Sequence, residues 1–267
     1  MKRLVLFFIG ICVFTACRNE KNRDSSKSEV AAVDTLTFTY DSVKVYSKNV
    51  IKTDLKAADT TKAVISYPVF KNETLNNYIL RQVFNYISEE EKATSYQDIA
   101  TSFVKGYDDF HSKNVTSAQA WWLMIDINVL HQTNNYIALQ YINSDYSGGA
   151  HPNTSFSYLN YNPKTNTALT LDSLIEKNQH GKLVSIAEVI FRKDEKLTPT
   201  EPLSGKYFFH DDKFDLPENF YVNDKGLVFL YNPYEIKPYS EGITKLVIPF
   251  SALKGIAKPN TILTETN

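Results

Sequence analysis

Apolar and polar positions alternate from Leu36 to Tyr46. Leu36, Phe38 and Tyr40 fall on one face, Val43 and Val45 continue on shifted parity, and the pattern predicts a strand. Ala63 to Phe70 predicts a second, stopped around Pro68. The period then lengthens. Leu75, Ile79, Val83 and Ile87 recur every four residues, with Tyr78, Leu80 and Phe84 widening the stripe, and predict a helix. Asn72 or Glu73-Thr74 can cap its start, and Glu89 to Lys92 marks a solvated end. A second helix carries Ile99, Phe103, Tyr107 and Phe110, with Ala100 and Val104 beside them. Trp121 to Leu130 and Tyr136 to Tyr146 are the strongest strand signals, and Gln132 to Asn135 between them predicts a hairpin turn. Phe156 to Tyr161 adds a third strand of an antiparallel meander, Pro163 to Asn166 a turn, and Leu169 to Leu171 a short extended piece. Leu183, Ile186, Ala187 and Ile190 predict a helix from Gly181 to about Lys196. Phe220 to Val222, Leu227 to Tyr231 and Lys245 to Phe250 read as closing strands.

This order is not an alternating βαβ pattern. It predicts an α+β fold of mostly antiparallel sheets with helices packed on one face, in two subdivisions, residues 34–163 and 164–260, with a tail over 261–267. Ahead of them, Lys2 and Arg3 precede an apolar run from Leu4 to Phe14, too short for the roughly 20 apolar residues of a membrane span. Residues 1–16 therefore read as a signal peptide. Its end, Phe14-Thr15-Ala16-Cys17, resembles the lipobox of bacterial lipoproteins and marks Cys17 for lipidation. Residues 17–33 are polar with mixed charge and read as a tether from a membrane-held lipid. The expected location is the cell envelope, at the outer membrane, with the periplasmic and surface faces both open.

Composition narrows the function classes. The formal net charge is -1, and without a basic stripe this argues against a nucleic-acid partner. Cys12 would leave with the signal and Cys17 would carry lipid, so no catalytic thiol and no disulfide are expected. Tyr (17), Phe (16) and Trp (2) are abundant, which supplies rings both for a core and for a binding surface.

Four segments could carry chemistry. In Tyr146-Ser147-Gly148-Gly149-Ala150-His151-Pro152 the glycines permit positive φ, and His151 with Asp145 could form a general base. Ser147 lacks a G-x-S-x-G elbow, and the turn equally suits a chain reversal in which His151 makes a structural hydrogen bond. His111, His131, His180 and His210 are scattered, and His210-Asp211-Asp212 reads as a solvated loop, so neither metal nor cofactor is expected. Tyr231, Tyr234 and Tyr239 alternate with Pro233 and Pro238 and can present rings to a sugar or a protein, or pack on a sheet. Trp121 and Trp122 should point to opposite faces of their strand.

Tyr146-x-Gly-Gly-Ala-His151, Leu159-Asn-Tyr-Asn162 and Leu169-Thr-Leu-Asp-Ser-Leu174 resemble the ectodomain of the anti-sigma factor RsiV and the non-catalytic N-terminal region of the peptidoglycan deacetylase PdaC. Phe229 to Gly242, with Asn232-Pro-Tyr-Glu-Ile-Lys-Pro-Tyr239, resembles the companion domain of unknown function that follows it. Where this family has Asp and Gly in its turn, the chain has Asn162 and Asn166, and Asn also tolerates positive φ. The resemblance implies a module that binds a lysozyme-like protein. Deacetylation in PdaC belongs to a separate metal-dependent domain whose motif the sequence does not contain, so it does not carry over. The expectation is a non-catalytic envelope module for a cell-wall-associated protein or a glycan, with binding through Tyr146, Gly148, Gly149, His151, Tyr231, Tyr234 and Tyr239. An envelope hydrolase using His151, Asp145 and a carboxylate such as Glu235 is the alternative, and a purely structural lipoprotein is another.

Overall fold

A computed structural model describes residues 36–52, 58–84, 93–115 and 119–264. The signal peptide, Cys17 and most of the tether lie outside the described residues, as do Ile87, Glu89 to Lys92 and the end of the tail. The described residues form one compact unit. The fold is α+β. Strands β1 (Phe38–Lys52) and β2 (Ala58–Phe70) are followed by helices α1 (Glu73–Phe84) and α2 (Tyr96–Lys113). Then come β3 (Trp122–Thr133), β4 (Tyr136–Tyr146), β5 (Asn153–Asn162) and the two-residue β6 (Thr167–Ala168). The second part holds α3 (Leu171–Leu174), α4 (His180–Asp194), β7 (Phe220–Asn223), β8 (Gly226–Tyr231), β9 (Thr244–Pro249) and α5 (Phe250–Leu253). The first six strands make one sheet in sequence order and the last three make another.

One pairing departs from the expected meander. β2 and β3 run parallel, while every other pair is antiparallel. A parallel pair needs a long crossover. The two helices supply it, and in crossing they cover one face of the sheet. Leu75, Ile79 and Val83 of α1 and Ile99, Ala100 and Val104 of α2 are buried against Ala63 and Ile65, Ile125 and Ile127, and Ile137, Leu139 and Tyr141. The α2 start is capped by the Ser95 hydroxyl, which accepts from the Asp98 N–H at 3.1 Å.

The other face of β4 is buried too. Tyr136 and Ala138 join a second core with Leu183, Ala187 and Phe191 of α4 and Leu227, Phe229 and Tyr231 of β8. Tyr136 through Leu139 are therefore all buried, which is why this strand reads as a continuous apolar run and not as an alternation. β8 is likewise buried at all six positions between β7 and β9.

Several boundaries move for local reasons. β3 continues past Leu130 to Thr133 through an irregularity between Val129 and His131, which leaves a two-residue turn at Asn134 and Asn135. Leu169 still bonds the sheet edge through its N–H to the Asn160 carbonyl at 2.8 Å, but Leu171 begins a helix where an extended piece was expected. α4 stops at Asp194, and Lys196 takes a left-handed φ of 57°. The Lys196 and Leu197 N–H groups then bond the Lys193 and Arg192 carbonyls, the closing pattern usually built on glycine. In the turn after β5, Asn162 Oδ1 accepts from the N–H groups of Lys164 and Thr165 and Asn166 adopts φ 54°, so two asparagines sustain the turn.

The second part docks on the outer edge of β5. That strand pairs with β4 on one side and with β6 only at Tyr161 and Asn162. Farther along, side-chain amides take the place of a neighbouring strand. Asn232 Oδ1 accepts from Phe156 N–H at 2.7 Å and its Nδ2 donates to the Phe156 carbonyl at 3.0 Å. Asn219 Oδ1 accepts from Tyr158 N–H at 2.7 Å and its Nδ2 donates to the Phe156 carbonyl at 2.8 Å. Deeper in, the buried Tyr136 hydroxyl donates to Asn160 Oδ1 at 2.6 Å and accepts from Val222 N–H, while Asn160 Nδ2 donates to the Phe220 carbonyl at 2.7 Å.

Gly226 opens β8 with φ 148° opposite Pro249. An added Cβ would collide with the Ile248 carbonyl oxygen and sit 2.9 Å from Pro249 Cα. Gly226→Ala should therefore lower stability by about 2–4 kcal/mol through steric overlap and an unfavourable φ. Urea unfolding would show this as a lower midpoint at unchanged m-value, and an unshifted midpoint would contradict it.

Candidate functional site

The loop from Tyr146 to Pro152 joins β4 to β5, and Asp145 opposite Asn153 is its last strand pair. Gly148 and Gly149 hold φ of 105° and 112°, which lets the chain reverse there. The Tyr146 hydroxyl donates to the Gly149 carbonyl at 3.0 Å and braces the loop. His151 Nδ1 lies 2.8 Å from the Pro152 carbonyl. A carbonyl can only accept, so Nδ1 carries the proton and neutral His151 has its lone pair on Nε2.

The segment 232–239 faces this loop. Asn232 is clamped to β5, and the Asn232 N–H donates to the Glu235 carboxylate. Ile236 is buried in the second core, and Lys237 Nζ meets Glu195 Oε1 at 2.8 Å with both side chains largely covered. These anchors leave Tyr234 and Tyr239 turned toward His151. The Tyr239 ring stacks on the imidazole at a centroid distance of 4.2 Å and 17° between planes, and its hydroxyl donates to the Pro152 carbonyl at 3.2 Å. The Tyr234 hydroxyl, 3.4 Å from His151 Nε2, is placed to donate to that lone pair. Tyr234 and Tyr239 are themselves 5.6 Å apart. Tyr234 has φ 69° and remains 58% exposed, so a ring is held out to solvent by strained backbone.

Beside this cluster lies an open cleft of about 130 Å³. Asn143, Asp145, Asn153, Thr154 and Ser155 give it a polar wall, and His151, Pro233, Tyr234 and Tyr239 give it a ring-lined one. Burial pushes the Asp145 carboxyl above the usual carboxylate range, and a hydrogen bond from Asn153 opposes the shift. The cleft thus offers amide, hydroxyl and carboxyl groups opposite aromatic faces.

The structure brings His151, Tyr234 and Tyr239 together, with Tyr146, Gly148 and Gly149 shaping the loop that presents the imidazole. It does not bring Tyr231 to them. Tyr231 was expected on the binding surface, but it is 2% exposed, and its hydroxyl donates to the Asp215 carbonyl at 2.6 Å. Burial raises its phenol strongly. The reason is that Tyr231 ends β8, a strand buried on both faces, and its ring packs with Leu227 and Phe229 in the second core. Asp145 lines the same cleft as His151, but the imidazole nitrogens engage Pro152 and Tyr234, and Glu235 holds its own turn. Ser147 is exposed on the loop. Residues missed from the sequence are Asn143, Asn153, Thr154 and Ser155. Asn143 and Asp145 share one parity on β4, opposite Ser155 and Asn153, so a period of two carried that signal.

Elsewhere, His210 Nδ1 sits 3.1 Å from Asp211 Oδ2 on an exposed turn where Asp211 and Asp212 both have positive φ. Among the described residues no three His, Cys, Asp or Glu side chains converge as a metal site, and no helix is long and apolar enough to cross a membrane.

The fold and the site define an α+β protein in which an aromatic surface is assembled from two successive regions. These regions have family counterparts. Residues 55–154 match the model of deacetylase PdaC, and residues 167–251 match that of a protein of unknown function, DUF3298. The chain has this PdaC-like and DUF3298 architecture. It is 22% identical over 222 residues to the peptidoglycan-N-acetylmuramic acid deacetylase PdaC of Bacillus subtilis (strain 168), which covers 81% of this chain and 43% of that protein. Among solved structures, a DUF3298 family member from Bacteroides fragilis is 23% identical with a TM-score of 0.66 over 86% of this chain and 97% of its own. A DUF3298 family protein from Pseudomonas aeruginosa is 19% identical with a TM-score of 0.61 over 86% and 98%. His151 falls in the PdaC-like match, and Tyr234 and Tyr239 in the DUF3298 match.

The raised Asp145 carboxyl has a consequence for stability. The native state keeps this proton to higher pH than the unfolded chain does, so stability is lost as pH rises from the unfolded value through the folded one. Asp145→Asn should melt above the parent at pH 7, and the difference should vanish near pH 3, below the ordinary carboxyl value of about 3.9. Thermal melts at the two pH values check this, and a variant less stable than the parent at pH 7 would contradict it.

Proposed function

We propose that this is a cell-wall-related envelope protein whose folded body is a non-catalytic module that binds glycan at the His151–Tyr234–Tyr239 surface. The supporting observation is the pairing of a stacked, partly exposed ring cluster with a polar cleft. Sugar rings present apolar C–H faces and hydroxyl edges, and those two needs are met by aromatic faces and by amide, hydroxyl and carboxyl groups respectively. The Bacillus relative is a peptidoglycan deacetylase, which points to peptidoglycan, and the similarity to it covers less than half of that protein. Its deacetylase chemistry is not carried over. The bonds made by both imidazole nitrogens favour binding over general-base catalysis. A lysozyme-like protein partner is the second reading, supported by the resemblance of the Gly-Gly-Ala-His151 segment to the RsiV ectodomain.

Calorimetry with muropeptides and with N-acetylglucosamine oligomers tests the glycan reading. Binding with Kd below about 1 mM is expected, and Tyr239→Ala and His151→Ala should each weaken it at least tenfold, or about 1.4 kcal/mol. Absence of binding to both ligand types at millimolar concentration would sink the glycan reading. Turnover of a glycan ester or amide that is lost in His151→Ala would sink the non-catalytic one.

We also propose that Cys17 carries lipid and moors the protein to the outer membrane through the tether. Cells fed an alkyne fatty acid should label the parent and not Cys17→Ser. Equal labelling of both would remove the anchor.

A further inference from the structure

A second and larger concavity lies away from the aromatic cluster. It is a groove of about 920 Å³ between the outer edge of β5, the short helix α3, the helix α4 and the loop 215–219. Its volume lies near the upper end of ligand pockets. Its charge is one-sided: Asp172, Asp215 and Glu218 line it with exposed carboxylates, and among the described residues no lysine or arginine lines it. The single basic side chain, His180, already sits 3.2 Å from Asp172. On a chain whose formal net charge is only -1, three acids without a facing cation are a local concentration.

Between the acids the lining is apolar, with Leu171, Leu183, Val184, Leu216 and Pro217 among it. One wall is a sheet edge whose nearest backbone groups are bonded by Asn219 and Asn232, so that wall is rigid and its polar groups are pre-set. An acidic rim over apolar walls matches a peptide that carries basic side chains among apolar ones, recognised through its side chains because the strand edge is already bonded.

We propose that this groove binds a basic peptide segment, its cationic side chains held by Asp172, Asp215 and Glu218 and its apolar ones by the apolar walls. This site is independent of the aromatic surface, so either can fail without the other. Titration calorimetry of the protein at 50 mM salt would use acetyl-Leu-Lys-Val-Arg-Leu-amide, its Lys→Glu, Arg→Glu counterpart, and spermine. The basic peptide should bind with Kd below about 100 µM and weaken as salt rises. The triple variant Asp172→Asn, Asp215→Asn, Glu218→Gln should loosen it at least tenfold. Thr170→Trp changes no charge, and its exposed side chain caps nothing, so it should fold and block the groove sterically. Absence of binding would overturn the proposal, and so would parent-like affinity of either variant for the basic peptide. Equal affinity for the acidic peptide would overturn the role of the three carboxylates, and equal affinity for spermine would overturn the peptide character of the ligand.

Discussion

The joint between the two halves of this protein depends on a few side-chain amides at the edge of β5. A strand edge carries unpaired N–H and C=O groups, and a covered one must find partners, since a buried unsatisfied group costs about 1–3 kcal/mol. Asn219 and Asn232 meet this need by standing in for a strand, each presenting one acceptor and one donor to the backbone of Phe156 and Tyr158. Apolar side chains could cover the same edge but could not satisfy it. The Tyr136–Asn160 pair does the same for the sheet face: two polar groups are buried, and both are paired with each other and with the backbone of β7.

The clamp has a positional consequence. Asn232 is followed directly by Pro233 and Tyr234, so the residue that completes the sheet edge also begins the segment that presents the rings. His151 lies 83 residues before Tyr234, on the loop that leads into β5. Both sides of the aromatic cluster are therefore referenced to one strand. Rigid attachment matters for recognition, because a site whose rings are already stacked loses less conformational freedom on binding.

Much of the fold is legible in the sequence because its long elements obey a single period. The fourfold recurrence of Leu75, Ile79 and Val83 and the Tyr136 to Tyr146 run lead to α1 and β4. The parallel β2–β3 pairing is not legible in that way, since periodicity reports which residues share a face and says nothing of strand direction. Tyr231 shows the same limit. Its spacing with Tyr234 and Tyr239 suggests one surface, yet β8 is covered on both sides and only the residues beyond its end reach solvent. The roles of Asn219 and Asn232 are not legible either, because an amide that replaces a strand has no local signature. Of the site, the Gly-Gly-Ala-His151 turn and two tyrosines could be named in advance. Their contact could not, because it depends on docking between segments far apart in sequence.

That dependence bears on how the two family regions should be regarded. The aromatic cluster takes its imidazole from the PdaC-like match and its phenols from the DUF3298 match. The acidic groove takes Tyr78 and Gln82 from the PdaC-like match, its strand edge from residues 157–160 between the two matches, and its carboxylates from the DUF3298 match. Neither surface exists on one region alone. With β5 stripped of Asn219 and Asn232, an unpaired edge would be left exposed, a template for pairing with other chains. The contacts that close the edge are those that bring both surfaces into being. A reading that assigns function to either region separately would therefore have to explain how half a clamp holds its rings in place.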